Sequence, residues 1–169
     1  PLTDELSVSP VGSLHAVRYG EGTKPRRRIM LAAHMDALGM MVTGIVNGFL
    51  RITEIGGIDP RILPGTPVMV HGRQDLPGIV VQIPDRLMPS SQAGKPAGFE
   101  YLLVDTGLHS EEVNRLVRLG DLISFNTKPV ELAGGAVAGH SQDNRASVAA
   151  VTMCLQNLQR MAPQWDTWA

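Results

Sequence analysis

The chain has 169 residues, of which 43% are hydrophobic, which is ordinary for one globular domain or two small ones. Fifteen basic and sixteen acidic residues nearly cancel, so net charge gives no reason to expect nucleic acid or an anionic membrane as a partner. No apolar run reaches the length of a membrane span. The single cysteine, Cys154, cannot form a disulfide within the chain, which favours a reducing compartment such as the cytoplasm.

Two strands are predicted in the first part of the chain. Residues 12–19 alternate weakly between polar and apolar side chains. Residues 29–33 form a continuous apolar run, which predicts a strand buried on both faces, as in an α/β sheet. The basic run at residues 24–28 is expected to form a solvated turn before that strand. His34-Met35-Asp36 follows the strand directly, where α/β proteins place their sites.

The middle of the chain predicts a hairpin and then a small β domain. Residues 40–46 and 49–55 flank Asn47-Gly48, a dipeptide typical of a type I′ turn. Short β-like runs separated by Pro and Gly then indicate a small barrel or sandwich; they are residues 67–71, 78–83, 101–104 and 121–125. One helix is expected over residues 110–119, capped by Ser110 and ended by Gly120, and residues 84–98 are expected to form a loop.

The last element is a helix predicted over residues 143–161, whose broad apolar face should pack on the main sheet. Cys154 is interpreted as a small core residue of this helix. Residues 165–169 are apolar and indicate the entry to a further strand. The predicted organisation is therefore an α/β part over 1–61, an inserted β domain over 62–132, and a return to the α/β part over 133–169.

One pair of residues, His34 with Asp36, and one further aspartate, Asp143, could carry chemistry. His34 and Asp36 are two apart, so both side chains of an extended segment point the same way, which suits a metal-bound imidazole held by a carboxylate. On spacing alone, a His satisfied by backbone in a loop is the favoured interpretation. Asp143 opens the last helix and is either a helix-capping carboxylate or one that bridges two metal ions. The histidines that lack acidic partners at useful spacing are interpreted as structural; they are His15, His71 and His109.

Residues 29–42, which read IMLAAHMDALGMMV, resemble the segment LAAHMDEIGFMV of the glutamyl aminopeptidase family. That family includes the tetrahedral, or TET-type, aminopeptidases and proteins labelled cellulase M or endoglucanase M. The resemblance continues in order through nearly the whole chain and is therefore more specific than any single motif. The further matching segments are residues 47–50, 55–61, 103–107, 118–121 and 139–145.

The resemblance implies a phosphorylase/hydrolase-like α/β peptidase core with an inserted PA-like β-barrel. It implies that His34 binds one metal ion, that Asp36 orients His34, and that Asp143 bridges two ions and is followed by a cis peptide. The metals would be zinc or cobalt, or else manganese. The function implied is removal of N-terminal amino acids from short peptides by a cytoplasmic homo-oligomer, from a dimer to a twelve-subunit shell. Other residues expected to line the site are His140, Asn144 and Arg145.

The same resemblance implies that the site in this chain is incomplete. In the family, the glutamate that acts as general base belongs to a Glu-Glu pair after the last helix, and the last glutamate here is Glu131, which precedes Asp143. A catalytic zinc normally has three protein ligands, whereas His34 and Asp143 supply two. The 169-residue chain alone is therefore predicted to be inactive and to bind metal weakly. Ala37 and His140 replace residues that are commonly Glu and Lys in the family, which affects the expected substrate preference.

Two other functions remain open from the sequence. One is an endoglucanase-type polysaccharide hydrolase, which would need a pair of carboxylates flanking the glycosidic bond. The other is a non-catalytic assembly or binding module in which the inserted barrel is the working part.

Overall fold

The structure is a computed structural model that describes residues 1–92 and 94–169. The chain divides into two units, one made of residues 1–36 with 141–169 and the other of residues 37–140. The second unit is longer at both ends than the inserted domain that the sequence predicts over 62–132. Its first hairpin supplies two strands of the barrel, and a two-stranded ribbon after the last barrel strand also belongs to it.

Strands and helices are numbered here in chain order. The strands are β1 (Glu5–Val8), β2 (Leu14–Arg18), β3 (Arg28–Met30), β4 (Gly39–Val46), β5 (Phe49–Ile55), β6 (Pro67–His71), β7 (Asp75–Gln82), β8 (Leu102–Asp105), β9 (Leu122–Phe125), β10 (Val130–Leu132), β11 (Ala136–Ala138) and β12 (Asp166–Trp168). The α-helices are α1 (Ser110–Leu116) and α2 (Gln142–Leu158). Single 3-10 turns occur at Pro60–Ile62, Asp85–Leu87, Ser90–Gln92 and Phe99–Tyr101. Two of these turns lie in the segment expected to be a loop, and Ala93 of that segment lies outside the described residues.

The first unit contains a mixed sheet in the order β1-β2-β12-β3. Strand β2 pairs antiparallel with β1 and β12, and β3 pairs parallel with β12. The strands predicted at 12–19 and 29–33 are therefore present, and residues 165–169 do enter a strand. The sequence analysis does not predict β1, which is only four residues long and whose side chains are all exposed.

Strand β3 differs from its prediction in burial. A strand buried on both faces is expected from the apolar run, yet Ile29 and Met30 are exposed. In the part of the chain that the structure describes, β3 pairs only with β12 and lies at one edge of the sheet. The hydrophobic run therefore predicts the strand correctly but not the exposure of its side chains.

The basic run at residues 24–28 is not the fully solvated turn that the sequence predicts. The Nε of Arg26 donates to Oδ1 of Asp166 at 2.5 Å, and both side chains are largely buried. The backbone N–H of Gly20 donates to the same carboxylate oxygen at 2.9 Å. These two donors, the Gly20 N–H first, lower the pKa of Asp166 from its ordinary value.

The second unit is built on a closed barrel with strand order β4-β5-β8-β7-β6-β9. All neighbouring strands are antiparallel. The first hairpin turns at Asn47 and Gly48, whose φ angles are +53° and +87°. Positive φ at both central residues defines the type I′ turn, so the predicted turn is confirmed.

Alternate side chains of the barrel strands point inward and form the core. Fully burying a Leu, Ile, Val or Met side chain contributes about 1.5–3 kcal/mol each. Helix α1 adds Val113 to this cluster, and Val117 follows it. The buried strand residues are Met40, Val42, Leu50, Ile52, Val68, Val70, Leu76, Val80, Leu102, Val104 and Ile123.

Both helices are shorter than the sequence predicts. Helix α1 ends at Leu116 because Val117 is extended, with φ −118° and ψ 143°, and the residue before α1 is His109 rather than Ser110. Helix α2 ends at Leu158 rather than at 161. None of the helices in residues 1–92 and 94–169 has the length and hydrophobicity needed to cross a bilayer.

The prediction that Cys154 is a core residue is wrong, because its side chain is exposed. On α2 the buried residue is Leu155, and consecutive helix residues are rotated by about 100° from one another. Cys154 therefore lies to the side of the face that α2 buries.

Candidate metal centre

His34 and Asp36 lie in the extended segment that leaves strand β3. The Nδ1 atom of His34 is 3.0 Å from Oδ1 of Asp36. This is the contact that their two-residue spacing predicts, since alternate side chains of an extended segment share a side. It fixes the ring orientation and leaves Nε2 to face elsewhere.

Asp143 approaches His34 from the start of helix α2. Its Oδ1 atom is 3.2 Å from Nε2 of His34. The backbone at this point is not yet helical: Ser141 has φ +68°, and Asp143 has φ −86° and ψ 105°. The peptide between Asp143 and Asn144 is cis, as the resemblance implies. The local backbone thus presents the Asp143 carboxylate at the N-terminal end of the helix and toward His34.

Both nitrogens of one imidazole are therefore faced by carboxylate oxygens. Two donors at about 2.0–2.1 Å from one tetrahedral zinc ion stand about 3.3 Å apart, which is close to the His34–Asp143 separation. An imidazole that binds metal through one nitrogen commonly has its other N–H held by a carboxylate, as Asp36 holds His34 here. The donor types and their spacing therefore fit a divalent metal.

The same residues provide only part of a metal site. The side chains of His34, Asp36 and Asp143 are 54%, 88% and 93% exposed, so ordinary ion pairing between them would stabilise the fold little. Among residues 1–92 and 94–169, no group of three or more His, Cys, Asp or Glu side chains is arranged to hold a metal ion. If Asp36 holds Nδ1, two protein donors remain for the metal.

Arg145 contacts the loop that carries His34. Its Nε atom donates to the backbone carbonyl of Met35 at 3.2 Å, and its own N–H donates to the Ser141 carbonyl at 3.2 Å. Asn144 is half-buried beside it. The sequence indicates Arg145 only as a residue that lines the site, and the structure gives it a specific acceptor.

His140 belongs to the barrel unit. Its ring packs against Phe125 with ring centroids 4.8 Å apart and planes tilted by 47°. The contact gives His140 a packing role within its own unit. A part in lining the site stays a prediction.

A cavity of about 680 Å³ adjoins the candidate ligands within the first unit. Its wall includes His34 and Asp36, and the rest is mainly apolar. The apolar side chains come mainly from the segment after β3 and from α2, and they include Leu31, Val148, Val151 and Leu155.

The expectation that His71 has no acidic partner is wrong. Its Nδ1 lies 2.8 Å from Oδ1 of Asp75 and its Nε2 lies 2.8 Å from Oγ of Ser124. His71 and Asp75 face each other across the β6–β7 hairpin, so the register of two paired strands would have identified them. The His71 and Asp75 side chains are 42% and 67% exposed, so water competes for both contacts. This order of groups occurs in nucleophilic triads, but at such exposure we assign it to linking three strands of the barrel.

Comparison with known proteins places the chain in a family. The family model described as M42 glutamyl aminopeptidase matches residues 12–169. A relative from Acetivibrio thermocellus with aminopeptidase in its name is 34% identical over 163 residues, which are 93% of this chain and 44% of the relative. The lysyl aminopeptidase of Pyrococcus furiosus is 30% identical over 115 residues, which are 66% of this chain and 32% of that protein.

Several solved structures are similar to this chain along nearly all of its length. An aminopeptidase from the archaeon Desulfurococcus kamchatkensis matches with a TM-score of 0.83 at 29% identity, over 99% of this chain and 45% of that one. The TET1 peptidase of Pyrococcus horikoshii, which can assemble into a tetrahedron or a large octahedral shell, gives 0.78 at 29% identity, over 97% and 49%. An endoglucanase from Thermotoga maritima gives 0.76 at 28% identity, over 99% and 48%.

This chain spans less than half the length of each of these solved chains. The family assignment rests on the match along nearly all of its own length. The chain belongs to the M42 glutamyl aminopeptidase family.

Proposed function

We propose that this chain carries part of the active site of a metal-dependent aminopeptidase that removes N-terminal amino acids from short peptides. The observation that supports this most is the arrangement around His34, whose two ring nitrogens are faced by Asp36 and Asp143. A carboxylate, an imidazole and a second carboxylate in this order suit a bound divalent cation. Membership of an aminopeptidase family supplies the reaction class.

Each residue has a defined part in this proposal. His34 offers Nε2 and Asp143 offers Oδ1 to the metal, while Asp36 holds the Nδ1 side of the ring so that Nε2 keeps its direction. Divalent ions bound here would lower the pKa of a water molecule and polarise the scissile carbonyl. Asp143 has a second carboxylate oxygen, which suits the bridging role between two ions that the resemblance implies.

We further infer that the 169-residue chain is inactive by itself and binds metal weakly. Two protein donors fall short of the three that hold a catalytic zinc. The chain covers 44% of its Acetivibrio thermocellus relative, so the remaining groups of a complete site would come from sequence outside these residues. Zinc, cobalt and manganese all suit imidazole and carboxylate donors.

The wider setting is also part of the proposal. We propose that the first unit is a portion of a phosphorylase/hydrolase-like peptidase core and that the barrel is a PA-like domain. A homo-oligomer is proposed because the similar TET1 peptidase can assemble into closed shells. A cytoplasmic location is proposed from the single cysteine, Cys154.

A polysaccharide hydrolase is the competing activity, since one similar structure is that of an endoglucanase. A glycosidase needs one carboxylic acid and one carboxylate on opposite sides of a sugar bond. Here the carboxylates of Asp36 and Asp143 both contact His34, and this arrangement suits a bound metal ion better than a pair flanking a sugar bond. This geometry favours the peptidase.

The test is an assay of the natural gene product beside the 169-residue chain. Both are incubated with short peptides and with cellulose oligosaccharides, with added zinc or cobalt and then with a chelator. We expect the gene product to release amino acids in a chelator-sensitive way and the 169-residue chain to release none. Sugar release without amino-acid release would contradict the peptidase, and peptidase activity of the short chain would contradict the incomplete site. Inactivity of both would favour an assembly or binding module.

A further inference from the structure

The two segments that carry the candidate ligands are joined by a second contact besides the one between His34 and Asp143. Arg145 donates from Nε to the carbonyl oxygen of Met35, at 3.2 Å. Met35 stands between His34 and Asp36, and Arg145 stands two residues after Asp143. All five residues belong to the same unit of the structure.

We infer that Arg145 is a positioning residue, which holds the Met35 carbonyl so that His34 and Asp36 keep their places relative to Asp143; this inference rests on the proposed function. The loop after β3 has no regular hydrogen-bonded structure between residues 31 and 38. A single contact between His34 and Asp143 would let this loop rotate about that contact. The second contact, through the backbone of Met35, removes that freedom.

The chemistry of the acceptor makes this role distinguishable from a simple charge effect. A backbone carbonyl is neutral, so the Met35 contact leaves the positive charge of the guanidinium in place. A positive charge close to a metal site opposes the binding of a cation. If Arg145 acted only through its charge, replacing it with a neutral residue would strengthen metal binding. If it acts by positioning, the same replacement weakens metal binding.

Three variants separate these effects. Arg145→Gln removes the charge and shortens the side chain, so it cannot keep the same contact. Arg145→Lys keeps the charge but lacks the Nε donor of the planar guanidinium group. Arg160→Gln makes the same substitution just beyond the end of α2 and serves as the matched control.

The first measurement needs no metal. Backbone order parameters for Met35 and Asp36 are obtained by ¹⁵N relaxation for the wild-type chain and the three variants. We expect rigid values, near 0.85, in the wild type and in Arg160→Gln, and values below about 0.6 in both Arg145 variants. Unchanged order parameters in the Arg145 variants would overturn the inference. If Arg145→Gln fails to fold, Arg145→Lys carries the test.

The second measurement is titration of the same proteins with Co²⁺ alone. Loss of an orienting partner costs about 10- to 100-fold in metal affinity, so we expect the dissociation constant to rise about tenfold in both Arg145 variants and to stay unchanged in Arg160→Gln. Tighter Co²⁺ binding by Arg145→Gln would overturn the positioning role in favour of a charge effect. If the wild type binds no Co²⁺ while the order parameters still fall, Arg145 positions the loop and the proposed metal function fails.

Discussion

At the scale of single residues, His34 shows what sequence can and cannot predict. Its contact with Asp36 follows from a two-residue spacing in an extended segment, which is local information. Its contact with Asp143 joins residues far apart in the chain, and no periodicity predicts it. In the sequence, only the ordered family resemblance along nearly the whole chain links His34 with Asp143. Arg145 donates to a backbone carbonyl, and because every residue has one, the sequence cannot predict which carbonyl accepts.

Asp36 gives a direct prediction at this scale. Asp36→Asn keeps the size of the side chain but removes the charge that holds Nδ1 of His34. The affinity for Co²⁺ should fall about tenfold, because partners that orient a ligand histidine have effects of 10- to 100-fold. Isothermal titration of the wild type and the variant measures the change. Asp85→Asn, an equivalent substitution in the barrel unit, should leave the affinity unaltered, and an equal loss in both would contradict the role of Asp36.

Asp166 gives a prediction about pH. The Gly20 N–H and the Arg26 guanidinium favour its ionised form, so its pKa in the folded protein lies below the ordinary 3.8. A depressed carboxyl pKa contributes stability that is present above the unfolded value and is lost as the pH falls through the folded value. The melting temperature of the wild type should therefore decline below about pH 4.

Asp166→Asn tests that assignment. The variant should melt at a lower temperature than the wild type at neutral pH, because Arg26 would keep a buried charge without its carboxylate partner. The difference between the two proteins should shrink as the pH is lowered through the folded pKa of Asp166, which lies below 3.8. Thermal unfolding followed by circular dichroism gives both curves. A difference that stays constant with pH would show that the Asp166 charge is not involved.

At the scale of elements, the barrel strands were predictable and the burial of the first unit was not. The β4–β5 hairpin has local signals, namely alternating side chains on either side of Asn47-Gly48. Strand β3 and helix α2 have apolar sequences, and the residues that pack on them are distant in the chain. Their sequences therefore predict a strand and a helix but not which of their side chains are buried. The same reason explains the misassigned burial of Cys154.

Leu50 tests the barrel core. It is fully buried on β5, so Leu50→Ala should destabilise the protein by about 2–5 kcal/mol through lost burial and the cavity left behind. Leu119→Ala removes the same atoms at an exposed position and should change stability by less than about 0.5 kcal/mol. Urea unfolding of both variants, followed by barrel-specific signals, makes the comparison. Equal effects would contradict the assignment of the core.

At the scale of the whole molecule, two units share one chain, and the ligand-bearing segments lie at the points where the chain leaves and re-enters the first unit. The second unit begins at Ala37, directly after Asp36, and the first resumes at Ser141, just before Asp143. The sequence places the start of the insertion at 62, where short β-like runs separated by Pro and Gly begin. The first hairpin belongs to the barrel because its strands pair with β8 and β9, which are distant in the chain. The local sequence does not reveal such non-local pairing.

The central claim is that His34 and Asp143 form the metal-binding part of this chain, and paramagnetic NMR tests it most directly. Mn²⁺ is titrated into the ¹⁵N-labelled protein, and the loss of amide signals is mapped along the chain. His71, which also contacts an aspartate, provides the matched control, because His71→Ala removes an equivalent pair in the barrel. The account predicts broadening centred on residues 34–36 and 143–145 that His34→Ala abolishes and His71→Ala preserves. Broadening centred on His71, or broadening that survives His34→Ala, would contradict it.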